Sequence, residues 1–201
     1  MDTQKKMLEV VAQIKNPCLY HACREITNPT HPTPFTLWPA SLSHHHDYAG
    51  GLMRHTLEVC QIALDLLKSG SLRALNMDVV LTACLWHDYG KTEEYVMCSE
   101  PTDRVPDRRY LSAWNGTCWT KCADVPDKSH PHIGWSADRC VTAIDRHGRN
   151  VKDEIVEHIA DCILSHHGRV EWGSPFEPKT AEAILVHQAD MLSAQIGISR
   201  K

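Results

Sequence analysis

The amino-acid sequence predicts an all-α fold with one small β-hairpin insertion, and three observations lead to this prediction. Apolar residues recur at helical spacing in six separate segments of the 201-residue chain, and no proline falls inside any of them. Residues 92–130 break this spacing and are rich in turn-forming residues. Within them, Asn115-Gly116 is a dipeptide typical of the tight turn between two antiparallel strands.

The elements of the first half follow in order along the chain. A short opening helix is predicted over residues 2–15, where apolar residues lie at helical spacing. Residues 27–43 contain four prolines, which predict an extended connector because proline removes a backbone donor and restricts its predecessor. Gly50-Gly51 then precede a strongly periodic helix over residues 52–68, which ends at Ser69-Gly70.

The second half begins with an almost uniformly apolar helix. It is predicted from Met77 to Trp86, which places His87-Asp88 at its C-terminal end and makes Gly90 its stop signal. The Asn115-Gly116 turn predicts a hairpin between Tyr110–Trp114 and Thr117–Thr120. Helical spacing returns in three further segments, residues 132–147, 152–166 and 179–197. We divide the chain into residues 1–34, a helix with a proline-rich connector, and residues 35–198, a helical domain with an insertion at 95–130.

The composition excludes several classes of protein. The formal net charge is −4 and the isoelectric point is about 6.4, so no overall basic field indicates nucleic-acid binding. The longest apolar run is far shorter than the roughly 20 residues that a membrane span needs. The N-terminus, MDTQKKMLEV, lacks the apolar stretch of a signal peptide. We therefore expect a cytoplasmic protein with no membrane partner.

The nine cysteines are predicted to be free thiols. Cys60, Cys84 and Cys162 lie inside apolar helical patterns, where a thiol packs as a small hydrophobic group. A reducing cytoplasm keeps such thiols unpaired. Cys98, Cys118 and Cys122 with His130 leave open a structural zinc site, although their spacing lacks the two CxxC pairs usual for one.

Histidine is unusually frequent, with 14 in the chain, and many of these histidines lie near helix ends together with aspartates. Imidazole and carboxylate groups together suit first-row metals such as Mn, Fe, Ni or Zn. An aspartate beside a histidine can bridge two ions, one on each oxygen, as two-metal hydrolytic sites require. The metal-competent residues are spread over five segments, as in sites built inside helical bundles: His45, His46, His55, His87, Asp88, His132, His166, His167 and Asp190.

Five segments that contain these residues resemble the HD-domain superfamily of metal phosphohydrolases. They are HHDYAGGLMRHTLEV (45–59), LWHDYGK (85–91), HIGWSAD (132–138), ILSHHGRVEWGSP (163–175) and AILVHQADMLSAQ (183–195). Residues 35–198 are most similar to the HD domain of bacterial 3′→5′ exoribonucleases that join an OB-fold to an HD domain. They are similar too to HD domains of relaxase-type proteins of conjugative elements.

The resemblance implies an HD-domain helical bundle that holds two divalent transition-metal ions. The first ion would lie on His55, His87, Asp88 and Asp190, and the second on His132, His166 and His167, with Asp88 bridging the two. Lys91 would face a substrate phosphate or assist proton transfer. Asp88 and Lys91 are therefore the expected catalytic residues, and metal-activated water is the expected nucleophile.

Two features depart from the resembling proteins. Too few residues precede the HD-like segments to form an OB-fold, so RNA capture by that route is not expected. The insertion at 95–130 is longer than the connection expected between HDxGK and the next histidine. An insertion beside a metal site is where substrate choice can change.

Further residues are candidates for orienting the ligands or contacting substrate. The resemblance places His45 and His46 near the pocket, and His187 shares a helix face with Asp190, where it either orients a ligand or packs in the core. Trp172 lies in a rigid turn, where it either packs against the scaffold or forms a wall of the pocket. Arg109 and Trp114 combine charge and aromatic surface, which stacks bases in nucleic-acid sites but also arises on a packed strand.

Three functions from different classes remain open. The first is a phosphohydrolase acting on a nucleotide or a single-stranded nucleic-acid end. The second is a di-iron oxygenase, since some HD proteins use four histidines and two aspartates for oxygen chemistry. The third is a non-catalytic metal-binding module. The sequence leaves the choice of metal, the exact substrate and a homo-oligomeric state open.

Overall fold

The computed structural model describes residues 3–28, 35–42, 44–70, 74–98, 118–121, 130–148 and 150–199, and these are mostly helical, as predicted. The α-helices in these residues are α1 Thr3–Val11, α2 Pro17–Ile26, α3 Gly51–Lys68, α4 Met77–Trp86, α5 Lys91–Glu94, α6 His132–Arg146, α7 Asp153–Leu164 and α8 Ala181–Ser199. A short 3-10 helix, Val170–Trp172, precedes α8. No described helix combines the length and the apolar character needed to cross a membrane.

Helix α4 is the centre of the bundle. It packs against α2, α3, α6, α7 and α8, and every residue from Val79 to Trp86 is buried. A helix that is apolar on all sides is stable only when neighbours cover all of it. Because α4 ends at Trp86, the polar pair His87-Asp88 is placed at the end of the most enclosed element of the fold.

Helix α2 is an element that the sequence prediction missed. The side chain of Asn16 accepts hydrogen bonds from the backbone N–H groups of Cys18 and Leu19, and Pro17 occupies the first turn. These are strong helix-start signals that the prediction did not use. Helices α1 and α2 contribute to the same core as α4, and the carboxylate of Asp78 accepts the backbone N–H groups of Lys15 and Asn16. The predicted boundary at 34/35 falls beside residues 29–34, which are not described.

Two strands lie where the sequence predicted a β insertion. Strand β1 (Tyr95–Cys98) pairs antiparallel with β2 (Cys118–Lys121), with Cys98 opposite Cys118. Tyr110–Trp114 and the Asn115-Gly116 turn lie outside the described residues, so the predicted hairpin stays a prediction. The same holds for the zinc site suggested by Cys98, Cys118 and Cys122.

The described cysteine side chains are buried free thiols, which confirms the prediction for Cys60, Cys84 and Cys162. Gly90 has another role than the predicted helix stop. Its φ of −60° is helical, and a Cβ added to it would lie 2.4 Å from the carbonyl oxygen of His132. Gly90 therefore allows the backbone of His132 to approach the turn that carries Asp88.

Candidate metal centre

Five parts of the fold bring the predicted ligands together around the end of α4. His55 lies on α3, His87 and Asp88 follow α4, His132 begins α6, His166 and His167 follow α7, and Asp190 lies on α8. All are buried except His167, which is half-buried. Buried imidazoles and carboxylates in such number need partners, because each is costly to bury alone.

The first group of ligands surrounds one oxygen of Asp88. The Nε2 atoms of His55 and His87 lie 3.3 Å apart, and they lie 3.6 and 3.4 Å from Asp88 Oδ2. Asp190 Oδ1 lies 3.0 Å from His55 Nε2 and 3.7 Å from His87 Nε2. The structure therefore brings together the four side chains predicted for the first ion.

The second group surrounds the other oxygen of the same carboxylate. Asp88 Oδ1 lies 3.5 Å from His132 Nε2 and 3.6 Å from His166 Nε2. His167 belongs to this group, since one ligand atom from each member lies within 4.8 Å of the others. The two oxygens of Asp88 thus face two different sets of imidazoles, as the predicted bridging role requires.

Each of the five histidines has its Nδ1 atom in a hydrogen bond that fixes the ring. Three rings donate through Nδ1–H to backbone carbonyls: His87 to Cys84 (2.8 Å), His166 to Ile163 (2.6 Å) and His167 to Trp172 (2.6 Å). The other two donate to side chains: His132 to Glu94 Oε2 (2.5 Å) and His55 to Ser193 Oγ (3.0 Å). A ring that donates through Nδ1 carries its lone pair on Nε2. Every ring therefore directs Nε2, rather than Nδ1, toward the cluster.

Three polar atoms in the second group lack a hydrogen-bond partner among the described residues: Asp88 Oδ1, His132 Nε2 and His166 Nε2. Each is a lone-pair acceptor, and their separations of 3.5 and 3.6 Å are too long for hydrogen bonds between them. Leaving three acceptors unsatisfied in one buried place is costly. A cation between them would satisfy all three, so the residues present fit a metal ion.

The electrostatics of the first group also favour positive charge. Burial by itself lowers the pKa of His87, but the nearby carboxylates of Asp88 and Asp190 outweigh this effect and raise the pKa to about 9. Burial also acts against ionisation of Asp190, yet His55 and His87 hold its pKa well below the usual range. The field at this end of α4 therefore stabilises a cation.

Two imidazoles of the second group, those of His132 and His167, are neutral at neutral pH, as metal ligands must be. Burial lowers the pKa of His132 to about 4, despite the hydrogen bond to Glu94. Burial, together with His166 and His132, also lowers the pKa of His167. At neutral pH these rings carry no proton on Nε2 that would have to leave before an ion is bound.

Lys91 lies against the bridging carboxylate. Its Nζ donates to Asp88 Oδ2 at 2.6 Å and to the carbonyl of Ala40 at 2.7 Å, and the side chain is buried. The hydrogen bond to Ala40 fixes the ammonium group of Lys91, which in turn holds the Asp88 carboxylate in place. Lys91 also lines the cavity at the cluster, so its position is compatible with the predicted contact with a phosphate.

Three residues that the sequence analysis missed form hydrogen bonds on the Nδ1 side of the histidines, either directly or through another residue. Glu94 accepts the Nδ1–H of His132, while Ser193 accepts that of His55 and donates in turn to Glu58 Oε2 at 3.1 Å. Carboxylates behind metal-binding histidines orient the ring and raise its basicity. The sequence spacing could have indicated these residues. Each lies three positions after a predicted site residue and therefore on the same helical face: Glu58 after His55, Glu94 after Lys91, and Ser193 after Asp190.

Of the remaining predicted residues, His45 and His46 lie beside His55, with which they form another group able to hold an ion. His45 Nδ1 lies 3.2 Å from His46 Nδ1, and His46 Nε2 lies 3.1 Å from Glu58 Oε2. His187 donates through Nδ1 to the carbonyl of His166, so it contacts the turn that carries two ligands. His130 is exposed, and His132 rather than His130 belongs to the cluster. Arg109 and Trp114 lie outside the described residues.

A cavity of about 230 Å³ opens onto the cluster. Asp88, Asp190 and Lys91 lie on its wall together with His167, His45 and Trp172. Carboxylate, imidazole and ammonium groups thus meet at one accessible space. The predicted metal ligands and the ammonium group of Lys91 therefore border the same accessible space.

The hydrogen bond from His132 to Glu94 leads to a testable expectation. The substitution Glu94→Gln should weaken binding of the ion held by His132 by about 10- to 100-fold, because the neutral amide no longer raises the basicity of the ring. Competition with a chelator in a metal titration measures this. Glu93→Gln is the matched control, since Glu93 pairs with Arg139 at the surface. Equal affinities for Glu94→Gln and the unmodified protein would contradict the assigned role.

Comparison with known proteins gives one partial match. The model of the family TraI_2, described as "Putative helicase", matches residues 35–78. This stretch includes His45, His46 and His55 but ends before the His87-Asp88 pair. No solved structure matches the chain.

Proposed function

We propose that this chain is a metal-dependent phosphohydrolase of the HD-domain type. It would cleave phosphodiester or phosphate-ester bonds in nucleotides or at nucleic-acid ends. The observation that carries the proposal is the division of the Asp88 carboxylate between two sets of imidazoles, with Oδ2 near His55 and His87 and Oδ1 near His132 and His166. Such a division suits two neighbouring ions better than one.

The residues around the cavity have distinct tasks in this proposal. Bound divalent ions lower the pKa of water toward neutrality and neutralise charge on the phosphate as the ester bond breaks. The two oxygens of Asp88 fix the positions of the two groups of imidazoles relative to each other, and the hydrogen bond from Lys91 fixes Asp88. The ammonium group of Lys91 also adds positive charge at the cavity wall, where a phosphate oxygen would lie.

The partial family match adds support for a nucleic-acid or nucleotide substrate, because helicases act on nucleic acid. A helicase motor is not proposed for this chain. Gly90-Lys91-Thr92 looks like the end of a phosphate-binding loop G-x-x-x-x-G-K-[ST], but Leu85 occupies the place of the first glycine. Lys91 is also committed to Asp88 rather than to a glycine-rich loop.

The proposal is tested with the purified protein and added Mn²⁺. We expect hydrolysis of bis(p-nitrophenyl) phosphate that requires the metal and is lost on chelation. Lack of hydrolysis with Mn²⁺, Fe²⁺, Ni²⁺ and Zn²⁺ on aryl phosphodiesters, nucleotides and short single strands would overturn it. If elemental analysis then also finds no metal, the result would support a non-catalytic binding module.

A di-iron oxygenase is the second candidate, because four histidines and two aspartates of the cluster match the ligand set of that class. It predicts iron in the isolated protein and a mixed-valence signal in electron paramagnetic resonance. His167 adds a fifth imidazole to the cluster, and Lys91 adds a cation beside the bridging carboxylate. Both additions suit an anionic phosphate substrate better than dioxygen.

A further inference from the structure

A second, larger cavity lies beside the metal centre. It has a volume of about 720 Å³ and runs between α3, α8 and the segment around the 3-10 helix. Trp172 and Met191 line both this groove and the 230 Å³ cavity at the metal ligands, so the two spaces adjoin. The smaller cavity contains the reacting groups, while the larger one is in the size range of small-molecule sites.

The lining of the groove combines apolar and hydrogen-bonding groups. Trp172, Leu66 and Leu192 are large apolar side chains with 41, 41 and 45% of their surface exposed. Gln188 and Gln195 lie on the same face of α8, one on each side of Leu192, and each amide can both donate and accept. Clustered exposed apolar groups among a few polar ones are typical of a ligand site.

Trp172 is held in place by its neighbours. Its backbone carbonyl accepts the Nδ1–H of His167, a predicted metal ligand, and the guanidinium of Arg169 lies 4.8 Å from the centre of its ring. The indole is therefore attached to the turn that carries the metal ligands. A planar aromatic group stacked on the indole would border the cavity that Asp88, Lys91 and His167 also line.

The charges of the groove disfavour a chain of phosphates. Glu171 and Glu177 line it together with Arg169, so carboxylates outnumber guanidinium groups. A polyanion gains little from such a lining, whereas a neutral base and sugar gain stacking and hydrogen bonds. The positive charge and the metal ligands are found in the adjoining cavity.

We propose that the groove lined by Trp172, Leu66, Leu192, Gln188 and Gln195 binds the base and sugar of a nucleotide whose phosphate lies at the metal centre. This inference rests on the proposed function and names the part of the substrate that is recognised outside the reacting phosphate. It assigns substrate choice to the α8 side of the site, in addition to any contribution from residues 95–130.

The test compares two ligands that share a phosphate but differ in the base. With the Mn²⁺-loaded protein, isothermal titration calorimetry should give a dissociation constant for AMP about 5- to 150-fold lower than for ribose 5-phosphate, because stacking of one base contributes about 1–3 kcal/mol. Trp172→Ala should weaken AMP binding more than ribose 5-phosphate binding and so remove most of this difference. Trp172→Phe, which keeps an aromatic ring, should retain a large part of it.

The variant leaves the metal ligand intact, since His167 bonds to the backbone carbonyl of residue 172. Ile184→Ala is the matched control, because Ile184 is an exposed apolar residue of α8 that does not line the groove. Equal binding of AMP and ribose 5-phosphate, equal weakening of both by Trp172→Ala, or no detectable binding of either would overturn the inference. If the protein prefers AMP but does not hydrolyse phosphodiesters, the result would support base binding in the groove and count against the proposed function.

Discussion

The substitution Asp88→Asn is expected to abolish metal-dependent hydrolysis and to reduce the number of bound ions. The variant keeps the size of the side chain, but its amide nitrogen cannot act as a ligand, so one of the two sets of imidazoles loses its shared oxygen. If the ions supply several kcal/mol of transition-state stabilisation, the fall in kcat/KM should be about a thousand-fold or more. Metal content by elemental analysis and the rate with an aryl phosphodiester are measured on the same sample.

Loss of the Asp88 charge also removes the partner of buried Lys91, so the effect on folding needs its own measurement. Removing one partner of a buried ion pair is destabilising by about 3–5 kcal/mol. The double variant Asp88→Asn with Lys91→Met leaves no unpaired charge and should recover thermal stability without recovering hydrolysis. A stable variant that hydrolyses at the unmodified rate would exclude Asp88 as the bridging ligand.

Separate removal of the two groups of imidazoles should show whether they hold separate ions. His132→Ala removes a ligand next to Asp88 Oδ1, and His55→Ala removes one next to Asp88 Oδ2. Each variant is expected to bind about one ion fewer than the unmodified protein, and each should lose hydrolysis, because both ions are needed to hold the phosphate and activate water. Inductively coupled plasma mass spectrometry of the loaded protein gives the stoichiometry.

His130→Ala is the matched control for this pair, since His130 lies two residues before His132 and is exposed. It should retain both ions and most of the activity. If His132→Ala keeps the full metal content while His55→Ala loses all of it, the chain holds a single ion on the first group. That result would support a mononuclear site and remove the two-ion mechanism.

The ligands could be predicted because their residue types and local motifs are readable along the chain. The almost uniformly apolar sequence of α4 predicts a buried helix, and the polar pair His87-Asp88 follows directly at its end. Asp190 lies between Ala189 and Met191 on α8, in an otherwise apolar stretch where a carboxylate is conspicuous. All seven predicted ligands lie around the end of α4, although their function as ligands stays a prediction.

The supporting residues could not be predicted with equal ease. Glu94 and Ser193 are ordinary polar residues in the sequence, and only their contacts with His132 and His55 distinguish them. For Lys91 the sequence predicts contact with a substrate phosphate or a part in proton transfer. Its hydrogen bonds to Asp88 and to the carbonyl of Ala40, which lies 51 residues earlier in the chain, depend on the tertiary fold. Helix α2 was missed although its Asn16-Pro17 start is a local signal.

The sequence by itself determined the helical class of the fold and the set of side chains able to bind metal, because periodicity and residue chemistry are local properties. The tertiary structure decided how these side chains are divided. It placed the two oxygens of Asp88 toward different imidazoles, chose the ring nitrogen that each histidine presents, and set Trp172 between the metal centre and a second cavity. These features depend on distances between residues far apart in the chain, which are settled only when α3, α4, α6, α7 and α8 pack together.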